Sequence, residues 1–85
     1  MTYEIEVLPA AVRALKKLDE RDADRVIKTI DALAEHPRPH GVKKLQGAKD
    51  LYRVRVGQYR IIYEVHDQRL LVVVVSLGHR RDVYR

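Results

Sequence analysis

The sequence predicts an α+β fold in which a helical hairpin covers one face of a four-stranded, mainly antiparallel sheet, in the order β-α-α-β-β-β. The prediction rests on one alternating segment at the amino end, two amphipathic stretches after it, and three β-forming runs separated by turn signals. Residues 2–8 alternate Tyr3, Ile5 and Val7 with Thr2, Glu4 and Glu6, which gives a strand with one buried face. Pro9 suits a first helical turn, and Ala11, Val12, Leu15 and Leu18 then line one stripe while Arg13, Lys16 and Lys17 face water. Residues 19–22 (DERD) interrupt that stripe and offer N-caps for a second helix. Ala23, Val26, Ile27, Ile30, Leu33 and Ala34 form its apolar face, and Pro37 ends it.

Residues 36–49 hold two prolines and two glycines without a sustained period, and read as a connecting loop. Strands at 51–56 and 59–65 flank Gly57-Gln58, a two-residue turn with glycine first, as type II′ prefers. The run 70–77 is apolar on both faces, which marks a central strand. A meander of the last three strands leaves one edge of the fourth free, and the first strand fills it. The chain reads as a single domain, residues 1–85.

Composition narrows the function classes. The chain has no cysteine, so disulfides, thiolate metal sites and a cysteine nucleophile are excluded. No spacing of histidines and carboxylates suits a metal, no cofactor motif is present, and the longest apolar run, 70–75, is far short of a membrane span. Glu4 and Glu6 break any secretory signal, so a cytoplasmic location is expected. The net charge is +5 and uneven: residues 1–48 carry nine cations against eight acids, residues 49–85 eight against four. A polyanion is the partner that such a basic half fits.

The chemistry-bearing residues cluster in that half. Alternation puts Arg53 and Arg55 on one face while Tyr52, Val54 and Val56 take the other, and Arg60 joins the arginines across the turn. Helices would cover the apolar face and leave the arginines open. Guanidinium forks bind phosphate bidentately and keep their charge. Arg80, Arg81 and Tyr84 follow Gly78, where the chain can fold back over the same face. Positive neighbours favour the Tyr84 phenolate, making it a candidate base, and His79 is a candidate acid at the mouth of the patch. Lys43, Lys44, Lys49 and Arg81 are candidate RNA contacts. Tyr3, Tyr52 and Tyr63 fall at inward positions, whereas His36, His40 and His66 sit in loops or at a hairpin tip.

The segments KKLQG (43–47), LYRVRVGQYRIIYEV (51–65) and VVVVSLGHRRDVYR (72–85) resemble the RelE family of bacterial toxins, messenger-RNA interferases of the RelE/ParE superfamily. The resemblance covers essentially the whole chain. It implies a toxin that binds the ribosomal A site, cleaves the messenger there and is silenced by a cognate, acidic antitoxin, in a bacterial or archaeal cytoplasm. It also implies that Arg53 and Arg55 fall at two basic positions of the family's second strand, often lysines, that Arg60 is its strand arginine, and that Arg80 and Tyr84 are its terminal arginine and tyrosine. Cleavage without metal proceeds by attack of a 2′-hydroxyl on the adjacent phosphorus, and arginines stabilise the growing negative charge. Two alternatives have the same fold or charge: a ParE-like DNA gyrase inhibitor, and an RNA-binding domain without catalysis.

Overall fold

The computed structural model describes residues 2–47 and 49–79. Strand β1 (Glu4–Val7) leads into α1 (Pro9–Lys16) and α2 (Glu20–Leu33). The strands β2 (Lys43–Lys44), β3 (Leu51–Val56), β4 (Tyr59–His66) and β5 (Leu71–His79) follow, with a 3-10 turn at Asp67–Arg69 between the last two. Asp19 caps α2, its carboxylate accepting from the Asp22 N–H at 2.8 Å, and Pro9 occupies the first turn of α1.

The sheet order is β1-β5-β4-β3-β2, with β1 parallel to β5 and the other pairs antiparallel. The α+β class and the place of the first strand beside the last are as expected. Among the described residues the sheet has five strands rather than four. Part of the loop 36–49 pairs with the edge of β3, Lys43 against Arg53 and Lys44 against Tyr52. A strand of two lysines carries no hydrophobic period to announce it, and it blunts the sheet edge with charge.

Ala11, Val26, Ile30 and Leu33 of the helices pack against Tyr52, Val54, Val56, Ile61, Tyr63, Val65, Val72, Val74 and Leu77 of the sheet, forming the core. Ile27, expected on the buried stripe, is 41% exposed, because α2 presents a single ridge through Val26, Ile30 and Leu33 and Ile27 falls beside it. The helix ends at Leu33, short of Pro37: the Ala34 carbonyl accepts the Tyr3 N–H at 2.8 Å, which ties the helix end to the strand before it.

Alternation is interrupted once. Between Ile62 and Tyr63 the β4–β5 register shifts, so that Val75 and Ser76 together oppose Ile62. One extra residue in β5 moves everything after it to the other face. Leu77 is consequently buried against the helices, and Gly78 faces outward opposite Arg60.

Candidate phosphate-binding site

The face away from the helices carries the arginines. Arg55 pairs directly with Arg60 across the β3–β4 hairpin, and Lys43 pairs with Arg53 on the other side of β3. Residues directly opposed in a sheet share a face, so two rows of cations lie about 7 Å apart along the strands. Together with Gly41 they line a hollow of about 250 Å³. Gly41 has φ +88, a conformation that L side chains rarely adopt, and no atom lies within 4 Å of where its Cβ would stand, so the rim beside Lys43 is open. The Arg55 Nε donates to the Gly57 carbonyl at 3.2 Å, which holds that guanidinium toward the hairpin turn. Gly57 itself takes φ +57, as the first position of the expected turn requires.

The hollow therefore joins Arg53, Arg55 and Arg60, as alternation implied, and adds Lys43. It does not take in every residue that the sequence nominated. Lys44 pairs with Tyr52 and so belongs to the helix side of the sheet. Lys49 lies with Asp50, His66, Asp67, Gln68 and Arg69 at the far end of β3. Arg80, Arg81 and Tyr84 lie outside the described residues.

His79 is a correction. The bulge turns it to the helix face, where it pairs with Tyr59, its ring edge-on to the phenol at 5.9 Å between centroids. Asp22, Arg25, Val56, Gly57 and Gln58 complete that small cavity, on the opposite side of the sheet from the arginine hollow. His79 therefore does not border the hollow.

The described tyrosines make structural contacts. Tyr59 donates to Asp22 Oδ2 at 3.1 Å, and burial, with that bond, pushes its phenol up. Tyr63 donates to the Pro37 carbonyl at 2.7 Å, and burial raises it well above the ordinary phenol range. Tyr3 donates to Asp67 Oδ1 at 2.7 Å, which raises its phenol. None of these three is a base near neutral pH.

A cluster that sequence reasoning missed centres on Arg38. Its Nη1 and Nη2 donate to the two Asp67 oxygens at 3.1 and 2.8 Å, its Nε donates to the Tyr52 hydroxyl at 2.9 Å, and its guanidinium lies 5.0 Å from the Tyr52 ring centroid. The hydrogen bonds from Arg38 and then from Tyr3 hold the Asp67 carboxyl below the usual carboxylate range. The Pro37-Arg38 pair in an otherwise irregular loop was the available signal, but a partner 29 residues away is not readable from spacing. Beside this cluster a groove of about 600 Å³ runs between α2, the loop and Val54, with its polar rim at Lys28, His36 and His40. No group of three or more histidines and carboxylates among the described residues is placed to hold a metal ion. No described helix is long and apolar enough to cross a membrane.

Comparison with known proteins adds identity to this geometry. The model of the ParE toxin family of type II toxin–antitoxin systems matches residues 5–84. The chain is 31% identical to a putative RelE-like toxin of Escherichia coli and 30% identical to the mRNA interferase toxin RelE of E. coli K12, in both cases over 99% of this chain and 92% of the relative. The archaeal RelE–RelB complex of Pyrococcus horikoshii contains a chain that superimposes with a TM-score of 0.86 at 33% identity, over 96% of this chain and 99% of that one. A matching family model across nearly the whole length, relatives at this identity and a shared fold lead to one conclusion: the chain belongs to the RelE/ParE family of type II toxins.

Proposed function

We propose that this toxin is a metal-independent endoribonuclease that cleaves messenger RNA in the ribosomal A site. The observation that carries the reading is the hollow in which Lys43, Arg53, Arg55 and Arg60 converge on the open face of the sheet. Three arginines with bidentate donor forks and one lysine ammonium suit a phosphodiester, and they stabilise the transition state more than the substrate, because its phosphoryl oxygens gain negative charge as the 2′-oxygen attacks. Arg80 and Tyr84, near the carboxyl end of the sequence, supply a further phosphate contact and the base that removes the 2′-hydroxyl proton.

The same set explains why the ribosome is needed. Arginines stabilise charge but do not align the 2′-oxygen with the departing 5′-oxygen, and imposed orientation contributes several kcal/mol. A translating ribosome provides that orientation. The antitoxin is an acidic partner, and the RelE–RelB complex of P. horikoshii is a precedent for a toxin of this fold bound to its antitoxin.

Primer extension on one message, translated or naked, tests the reading. Cleavage within codons on ribosomes, and none on naked RNA, is expected. Cleavage of both alike would remove the ribosome. The matching family model bears the ParE name, which favours a second reading, inhibition of DNA gyrase. No cleavage, with supercoiling by gyrase inhibited, would establish that reading, and RNA binding with neither effect would leave a binding domain.

A further inference from the structure

We propose that Lys43 is the general acid of this toxin, the group that protonates the departing 5′-oxygen; the inference rests on the endoribonuclease reading above. The basis is chemical elimination within the hollow. Among the described residues, its side chains are those of Lys43, Arg53, Arg55 and Arg60, and a guanidinium gives up a proton poorly, being a far weaker acid than an ammonium. His79, which could give one up, is turned to the other face by the β5 bulge. A lysine ammonium carries a proton at neutral pH and releases it readily to an alkoxide, which is a far stronger base than an amine. Lys43 is thus the best proton donor among the described side chains of the hollow.

Its position suits the role. The pairing of Lys43 with Arg53 puts it in the row neighbouring Arg55 and Arg60, about 7 Å along the strands, on the strand adjoining that of Arg55. A four-carbon stem with three rotatable donors spans that distance. Arg55 and Arg60 can grip the non-bridging oxygens while the ammonium reaches a bridging one. The edge strand is only two residues long, and Gly41 leaves the adjoining rim without a side chain, so RNA can enter from the Lys43 side.

The step balances. The bond from the 2′-oxygen to phosphorus forms and the bond from phosphorus to the 5′-oxygen breaks. The 2′-hydroxyl proton passes to the base assigned to Tyr84, and one Nζ proton passes to the 5′-oxygen. The products are a 2′,3′-cyclic phosphate and a 5′-hydroxyl. Solvent then returns a proton to the amine and takes one from the phenol.

A sulfur leaving group isolates this role, because a thiolate departs without protonation. The parent and Lys43→Arg are compared in single-turnover cleavage on programmed ribosomes, using an ordinary message and one with a bridging 5′-phosphorothiolate at the cleaved position. Lys43→Arg preserves the charge, and its exposed site on a short edge strand favours normal folding; matching melting temperatures verify this. Expected are a loss of roughly 10²-fold or more on the ordinary message and recovery to within a few-fold of the parent on the thio-substituted one. Lys43→Gln should recover on the same substrate, although it binds less tightly. Parent-like cleavage of the ordinary message by Lys43→Arg would reduce Lys43 to a charge contact. An equal loss on both messages would make it a binding or positioning group, and either result overturns the proposal. A parent protein that cuts neither message would instead remove the endoribonuclease reading, and this inference with it.

Discussion

Arg55 and Arg60 stand directly opposite each other on adjacent strands, an arrangement that costs the fold roughly 0.2–1 kcal/mol and that an anion between them would relieve. This leads to a prediction at single-residue scale. Arg55→Gln removes the repulsion and also loses the bond to the Gly57 carbonyl, so its melting temperature should stay close to the parent's. A short RNA or a high concentration of sulfate should raise the parent's melting temperature and raise the variant's by clearly less. Equal shifts, measured by scanning fluorimetry, would place the anion elsewhere. Alternation made Arg53, Arg55 and Arg60 legible in the sequence, because a two-residue period leaves no other face for them. His79 was not legible. Val72–Val75 are four identical residues, so nothing in them marks the position at which the register slips, and that slip alone decides which side of the sheet His79 takes.

The hairpin of β3 and β4 is the element on which the hollow is built, and its turn is pinned from both sides. Gly57 has φ +57, and a Cβ there would lie 3.3 Å from the Arg25 guanidinium of α2. Gly57→Ala should therefore destabilise the protein by about 1–2 kcal/mol through backbone strain, with some added crowding that the flexible arginine can relieve. Chemical denaturation checks this. A loss no greater than that of an exposed strand substitution would mean that the turn adopts another type. The hairpin was readable because its glycine, its two-residue loop and its flanking periods agree with one another. The edge strand β2 was not, since its pairing is imposed by the free edge of β3 rather than by its own residues. The same distinction explains the helices. The apolar stripe of α2 was plain, but its end is set by a bond to Tyr3, and the exposure of Ile27 by how narrow a ridge the sheet accepts.

At the scale of the whole molecule, the Arg38–Asp67 pair joins the loop after α2 to the turn between β4 and β5, and Tyr3 adds the start of the chain to the same carboxylate. Charge balance predicted a basic half and a polyanionic partner, yet it could not show this one ion pair, because only the folded chain brings the partners together. The pair makes stability depend on acid. Asp67 is held below its ordinary value by Arg38 and Tyr3, so the stabilisation is present above the unfolded aspartate value of ~3.9 and is lost as pH falls through the folded value. Tyr63 acts at the other limit. Burial raises its phenol, so its contribution is complete below the unfolded tyrosine value of ~10 and is lost as pH rises from there through the folded value. Asp67→Asn should therefore melt below the parent at pH 7, with the difference closing as the pH is taken toward 2.5. Tyr63→Phe should instead flatten the alkaline decline and leave the acid limb as it was. Melting curves of the three proteins across this range decide the matter. If the gap between Asp67→Asn and the parent is the same at pH 6 and pH 2.5, the bonds that Asp67 accepts do not depend on its charge, and the ion pair is not what ties the two loops together.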